Sequence, residues 1–175
     1  MIKIDAHDLA VYVKAQRHGP LCSILDEVRD YVFIKDVEGR FIFSNRAHLF
    51  HLGMKHESEI LGKTDFDLFP AGLAEDFYAA ETHLFETQTP VIRLQESIDL
   101  KGNKFYSTVI KFLICDQHGD ALGLVGSVHR IASDDSLDIE QSRAHILSIL
   151  RHQQGVTHSQ LVAFEASLPT LLGKH

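Results

Sequence analysis

The sequence predicts an α+β fold: one five-stranded antiparallel sheet with helices gathered on one face, plus flanking helices at both ends. Two observations carry this. Strand-like runs rich in β-branched and aromatic residues come in the order two, then three, with helical segments between them. Three Asp-x-x-Gly turns, at Asp36–Gly39, Asp99–Gly102 and Asp116–Gly119, join successive strands as hairpin loops do.

The first helix is expected over residues 5–18. Asp5 offers an N-cap, Gly19-Pro20 a stop, and Leu9, Val13 and Tyr12 a thin apolar stripe. A short helical turn follows at Leu21–Val28. The period then changes to that of strands. Tyr31-Val32-Phe33-Ile34-Lys35 and Arg40-Phe41-Ile42-Phe43-Ser44 flank the first turn and form a hairpin. Asn45 supplies an acceptor to cap a helix over Arg46–Leu52, which Gly53 ends.

Residues 57–86 read as broken helix. Glu57–Leu61 stops at Gly62, and Asp65–Phe69 stops at Pro70, with Asp65 as the cap. Leu73–Glu86 is longer and shows Phe77, Ala80, Leu84 and Phe85 at i, i+3, i+7 and i+8. Three strands complete the core: Val91–Ile98, Lys104–Cys115 and Ala121–Ile131. Gly123 and Gly126 fall inside the last strand, where a missing side chain admits a neighbouring element or a ligand. Beyond this, Ser133–Ser136 reads as a polar linker. It leads to a helix over about Leu137–Gln153 and shorter helical pieces at Thr157–Phe164 and Pro169–Leu172.

Composition narrows the function classes. The 175 residues suit one domain with a helical appendage. Hydrophobic residues at 45% and charged residues at 23% exclude a largely disordered chain. The 17 Lys+Arg against 24 Asp+Glu leave a formal charge of -7, which disfavours a nucleic-acid binder. No apolar run is long enough to span a bilayer, and no signal peptide is read at the N-terminus. Cys22 and Cys115 form no CxxC pair and suggest no disulfide scaffold. A cytoplasmic location is therefore expected.

The order of elements over residues 25–131 resembles the PAS domain, the sensory module of many bacterial regulators. Four segments carry the resemblance: Phe33–Phe41 running into Ser44–Ala47, Glu59-Ile60-Leu61-Gly62-Lys63-Thr64-Asp65-Phe66-Asp67-Leu68-Phe69-Pro70, Asp99–Gly102, and Asp116–Gly126. The organisation expected is a flanking helix in 1–24, a PAS sensor domain in 25–131, and a helical extension in 132–175. The resemblance implies a small molecule held between the inner sheet face and the helices, with its occupancy passed on through the flanking helices. It implies sensing rather than catalysis, and no catalytic residue is expected.

Lys111 is the most informative residue, a lysine inside the apolar run Thr108–Leu113. Burial demands a partner for it: a ligand acceptor, or a carboxylate with Asp65 first in line. PAS domains of similar look in bacterial quorum-sensing regulators use such a lysine on a small heterocycle, with an aromatic from the long helix that Phe77 matches. The expected ligand contacts are Lys111, Phe77, Asp65 and Phe33. The ligand is expected to be a small organic molecule of unknown identity.

A haem-binding PAS domain would take an axial histidine from the long helix. His83 is the candidate for that cofactor, although it lies at the edge of the apolar stripe and otherwise reads as a rim residue. His48 and His51 share a helix face, but no carboxylate or cysteine completes a metal set, so no metal site is expected. A flavin photosensor needs a cysteine in the helix after the first hairpin, where this chain has Asn45-Arg46-Ala47-His48. That route is excluded.

The C-terminal extension has two readings. It is a signalling helix with a dimer seam, or it begins a truncated helix-turn-helix like the first such unit of AraC-type regulators. Arg143, Arg151 and Lys174 against Asp134, Asp135, Asp138, Glu140 and Glu165 are too few cations to grip DNA, so DNA is a partner only if a fuller DNA-binding region exists. No effector of enzyme size is expected within these 175 residues. The helices at 5–18 and 137–153 each present an apolar stripe that a small core is not expected to cover, and this predicts a homodimer.

Overall fold

The computed structural model describes residues 6–98 and 104–131. The elements are α1 (Ala6–Ala15), α2 (Pro20–Glu27), β1 (Tyr31–Asp36), β2 (Phe41–Ser44), α3 (Arg46–His51), a 3-10 turn (Glu57–Glu59), α4 (Asp65–Leu68), α5 (Ala71–Thr87), β3 (Val91–Ile98), β4 (Lys104–Cys115) and β5 (Ala121–Ile131). The strands form one five-stranded antiparallel sheet in the order β2-β1-β5-β4-β3. The fold is α+β, as the sequence predicts. Expectations for the turn at Asp99–Asn103 and for residues 132–175 lie outside the described residues.

Two compact units divide the chain. Among the described residues, the first takes 6–91 and 110–128, and the second takes 92–98, 104–109 and 129–131. The first holds the site. In the second, the Arg130 guanidinium lies over the Phe105 ring, 4.3 Å from its centre.

In the first unit the turn chemistry is visible atom by atom. Asp36 Oδ1 accepts from the backbone N–H groups of Glu38 and Arg40, both at 2.9 Å. Gly39 takes the positive φ (75°) that closes the loop. Asp116 repeats the device, accepting from His118 and Asp120 at 2.7 and 3.0 Å, with Gly119 at φ 90°.

Asn45 does more than cap α3. Its Oδ1 accepts from the N–H of His48 and of Val32, each at 3.0 Å. Its Nδ2 donates to the carbonyls of Leu25, Val28 and Asp30. One fully buried amide thus ties the end of α2, the start of β1 and the start of α3 together.

Alternation along β1, together with a register shift in the β1–β2 pairing at Ile34/Lys35 that lets Phe43 and Phe41 face opposite ways, sorts the core onto two sheet faces. Val32 points to a cluster with Leu9, Val13, Cys22, Phe43 and Leu122. Phe33 points the other way, to Phe41, Leu49, Ile60, Leu84 and Leu124. So α3 and α5 share the inner face as expected, while α1 covers the opposite one. Arg17, just past α1, clasps it down by pairing with Asp26 at 2.9 Å and Glu57 at 2.6 Å.

This placement corrects one step of the sequence argument. The apolar stripe of α1, Leu9 and Val13, is covered by the chain's own sheet, so it does not call for a second copy. Tyr12 is exposed and does not belong to that stripe.

Both strand glycines sit at close approaches. A Cβ on Gly123 would lie 2.3 Å from the Lys35 carbonyl oxygen and 2.9 Å from a Leu9 methyl. A Cβ on Gly126 would meet the Phe33 ring at 2.3 Å.

Candidate functional site: a buried charge cluster on the inner sheet face

Four ionised side chains meet between the sheet and the helices. Lys35 comes from β1, two residues after Phe33 and on the same face. Lys111 comes from β4, Asp65 from the first turn of α4, and Glu81 from the middle of α5. Their relative exposures are 1%, 3%, 6% and 4%. Charges this deep need partners, and each has one.

Lys35 Nζ donates to Asp65 Oδ2 and to both oxygens of Glu81, at 2.7 and 3.0 Å. All three of its N–H donors are thereby used. Lys111 Nζ donates to Glu81 Oε1 at 2.5 Å. Among the described residues it makes no other hydrogen bond, so two of its three donors remain unpaired.

Aromatic faces surround the ammonium groups. Lys35 Nζ lies 4.6 Å from the centre of the Phe41 ring and 5.5 Å from that of Phe33. Lys111 Nζ lies 5.8 Å from Phe33 and 5.6 Å from Phe77. These separations are within cation–π range. Phe77 itself is half-buried and meets Phe69 edge-on at 5.3 Å.

The two carboxylates are pushed apart electrostatically. Burial raises the Asp65 pKa above its ordinary value, and the neighbouring Glu81 charge adds to the rise against the pull of Lys35. Burial would raise Glu81 too, but Lys111 and Lys35 together outweigh it and hold Glu81 below the usual carboxylate value. Like charges sharing one cation split in this way. Burial also lowers the Lys111 pKa, and Glu81 opposes that shift.

His48 lines the same face from α3. Its ring sits 5.4 Å from Phe33 and 5.9 Å from Phe41, and its Nδ1 is 2.7 Å from Ser44 Oγ. Burial, with His51 and Lys35 adding to it, lowers its pKa to about 3, so the imidazole is neutral. His51 stacks on Tyr31 at 4.5 Å. Among the described residues, no group of three or more His, Cys, Asp or Glu is placed to hold a metal.

The structure brings Lys111, Phe77, Asp65 and Phe33 to one place around the cluster. It corrects the pairing: Lys111 bonds to Glu81, and Asp65 serves Lys35. It also corrects the capping of α4. Thr64 is the cap, with Asp67 accepting from its N–H and its hydroxyl at 2.8 Å, and Asp65 is released for the cluster. His83 is exposed on α5 and lies outside the cluster.

Lys35 and Glu81 are the residues that sequence reasoning misses. Lys35 follows Phe33 at the strand period of two. Glu81 follows Phe77 by four and precedes Leu84 by three, which puts it on the buried stripe in place of Ala80.

The sequence over residues 25–134, the stretch holding the whole cluster, matches the PAS-fold family model. The chain belongs to the PAS-fold family. A curated relative, a diguanylate cyclase of Vibrio cholerae, is 30% identical over 129 residues, which is 72% of this chain. The chain spans only 38% of that relative's length. Among solved structures, the Vibrio cholerae VqmA–ligand–DNA complex is similar with a TM-score of 0.59 at 18% identity, covering 89% of this chain and 82% of that one. The LOV protein of Rhodobacter sphaeroides gives a TM-score of 0.66 at 11% identity, covering 92% and 99%. At such identities these two likenesses bear on the fold alone. The PAS fold positions the cluster: β1 and β4 supply the cations, and α4 and α5 the anions. Among the described residues, no helix is long and apolar enough to cross a membrane.

Proposed function

We propose that this PAS protein is a non-catalytic cytoplasmic sensor that binds a small organic molecule on the inner face of its sheet. Ligand occupancy passes through flanking helices, in residues 1–24 and 132–175, to a regulatory partner or an output domain. The observation that carries the reading is Lys111: an ammonium 3% exposed, with two donors unpaired among the described residues, set against the rings of Phe33 and Phe77. A lysine serving structure alone would have its donors filled, as those of Lys35 are. Aromatic walls with a few convergent polar groups are what small-molecule sites are made of.

The cluster also offers a route for the signal. Asp65 anchors the four-residue helix α4 through Lys35, and Glu81 anchors α5 through both lysines. A ligand that takes up the open donors of Lys111 draws on the ammonium that also holds Glu81, and thereby changes how α5 is held. On the other sheet face, Leu9 of α1 packs where Gly123 meets the Lys35 carbonyl. The N-terminal helix thus rests on the strand that carries the cluster.

Native mass spectrometry of the freshly purified chain tests the reading. A discrete low-mass adduct, lost on denaturation, is expected. A bare chain, even after incubation with a bacterial small-molecule extract, would count against it.

A second reading is favoured by the shared fold with VqmA, which has been captured with both ligand and DNA. Here the same PAS domain is the sensor part of a transcription regulator, acting as a homodimer, with an AraC-like unit in the C-terminal extension. A DNA mobility-shift assay on the chain separates the two readings. Retardation favours the regulator, and its absence favours a sensor with a separate output. The haem reading gains nothing from an exposed His83.

A further inference from the structure

We infer that the Lys35–Asp65–Glu81–Lys111 cluster selects an uncharged ligand with a hydrogen-bond acceptor, and that Asp65 and Glu81 set this charge preference. The inference rests on the proposal that the inner face binds a small molecule, and it deepens that proposal to a ligand class.

Charge arithmetic and donor counting carry the argument. Two lysines and two carboxyl groups, all at least nine-tenths buried, carry formal charges that sum to zero, and a proton passed from one to another leaves that sum unchanged. An anion added beside them gives a buried cluster with net negative charge, and a cation gives one with net positive charge. Either is costly where water cannot screen it. A lone lysine in a pocket would call for an anion; this one has its charge already answered by Glu81. What Lys111 lacks is not a counter-charge but acceptors for two N–H groups. Asp65 adds the complementary feature. Its Oδ2 takes the Lys35 bond, and among the described residues its Oδ1 accepts none. Among the described residues the cluster therefore offers open donors on Lys111 and an open acceptor on Asp65. A carbonyl or ring nitrogen beside an N–H, as in an amide or lactam on a flat ring, meets both without adding charge. The ring would lie against Phe33 and Phe77, the aromatic faces nearest Lys111.

Three near-isosteric probes test this on the full chain: benzamide (neutral), benzoate (anion) and benzamidine (cation). Binding is read at neutral pH by ligand-observed NMR and by the shift in melting temperature. Benzamide is expected to bind at least about tenfold more tightly than either ion. Asp65→Asn removes one negative charge, leaving a net positive cluster, and is expected to move the preference toward benzoate by about tenfold or more. Glu81→Gln is expected to do the same, which keeps the test available if one variant folds poorly. Benzoate preferred by the native chain, or an unchanged order in both variants, overturns the charge selection while leaving the site a ligand site. No binding of any probe counts against the inner-face site itself, and the inference falls with it.

Discussion

Lys35 Nζ donates to both carboxylate oxygens of Glu81, at 2.7 and 3.0 Å, across 46 residues of sequence. That contact joins the first strand to the long helix through the interior. Lys35 also holds Asp65, so one ammonium fixes two helices to the sheet.

The two lysines should therefore differ in what they do for stability. Lys35→Met leaves Asp65 without a cation and Glu81 with only Lys111. Orphaning a buried charge costs about 3–5 kcal/mol. Lys111→Met leaves Glu81 still bonded twice to Lys35, and the expected loss is about 1–2 kcal/mol. Urea denaturation of both variants checks the order; equal losses would mean that the cluster is not centred on Lys35.

Acid should weaken the fold through His48. Its folded pKa is lowered to about 3 from an ordinary 6.5. Below pH 6.5 the unfolded chain gains a proton that the folded chain refuses, so stability falls as the pH drops toward 3 and is level above 6.5. Between pH 7 and pH 5 this amounts to about 2 kcal/mol. His48→Gln should flatten that part of the stability–pH curve, measured by denaturant titration at several pH values. A curve of unchanged slope in the variant would show that His48 is not its source.

Asn45→Ala removes five hydrogen bonds at once. The N–H groups of Val32 and His48 and the carbonyls of Val28 and Asp30 each lose a bond, while the Leu25 carbonyl keeps the Val28 N–H at 3.3 Å; unmade buried bonds cost about 1–3 kcal/mol each, with water relieving some. The expected loss is at least about 3 kcal/mol in thermal or urea unfolding. Asn45→Asp keeps both bonds that Asn45 accepts but turns an oxygen toward three carbonyls, so it should rescue little. Full rescue by Asp would show that capping α3 is the whole role of this residue.

Much of the fold was legible because it rests on local chemistry. The Asp36 and Asp116 turns, the Asn45 cap and the strand limits all follow from residues near in sequence, and the structure reproduces them closely. The placement of α1 was not legible. Leu9 and Val13 announce an apolar stripe, but nothing local says whether a sheet face or another chain covers it. The cluster was half legible for the same reason. Lys111 stands out within an apolar run, and Phe77 and Asp65 were within reach. Glu81 looks like any helix glutamate until Lys35 and Lys111 arrive from strands 46 and 30 residues away. The pairing of Asp65 with Lys35, not Lys111, is likewise a tertiary fact.

Gly123 gives a further contrast. A methyl there meets a backbone carbonyl at 2.3 Å, which cannot swing aside as a side chain can. Gly123→Ala should cost about 1–3 kcal/mol. It should also loosen α1, read as faster amide exchange over residues 6–15. Exchange unchanged in α1 would separate that helix from the Lys35 strand.

The central claim is that Lys111 holds a small molecule on the inner face of the sheet. It is tested most directly by native mass spectra of the wild-type chain and Lys111→Met, recorded after identical incubation with a bacterial small-molecule extract. The account predicts a discrete adduct on the wild type that is absent or strongly reduced on a variant still folded by circular dichroism. Equal adducts on both proteins, or none on the wild type, would contradict it.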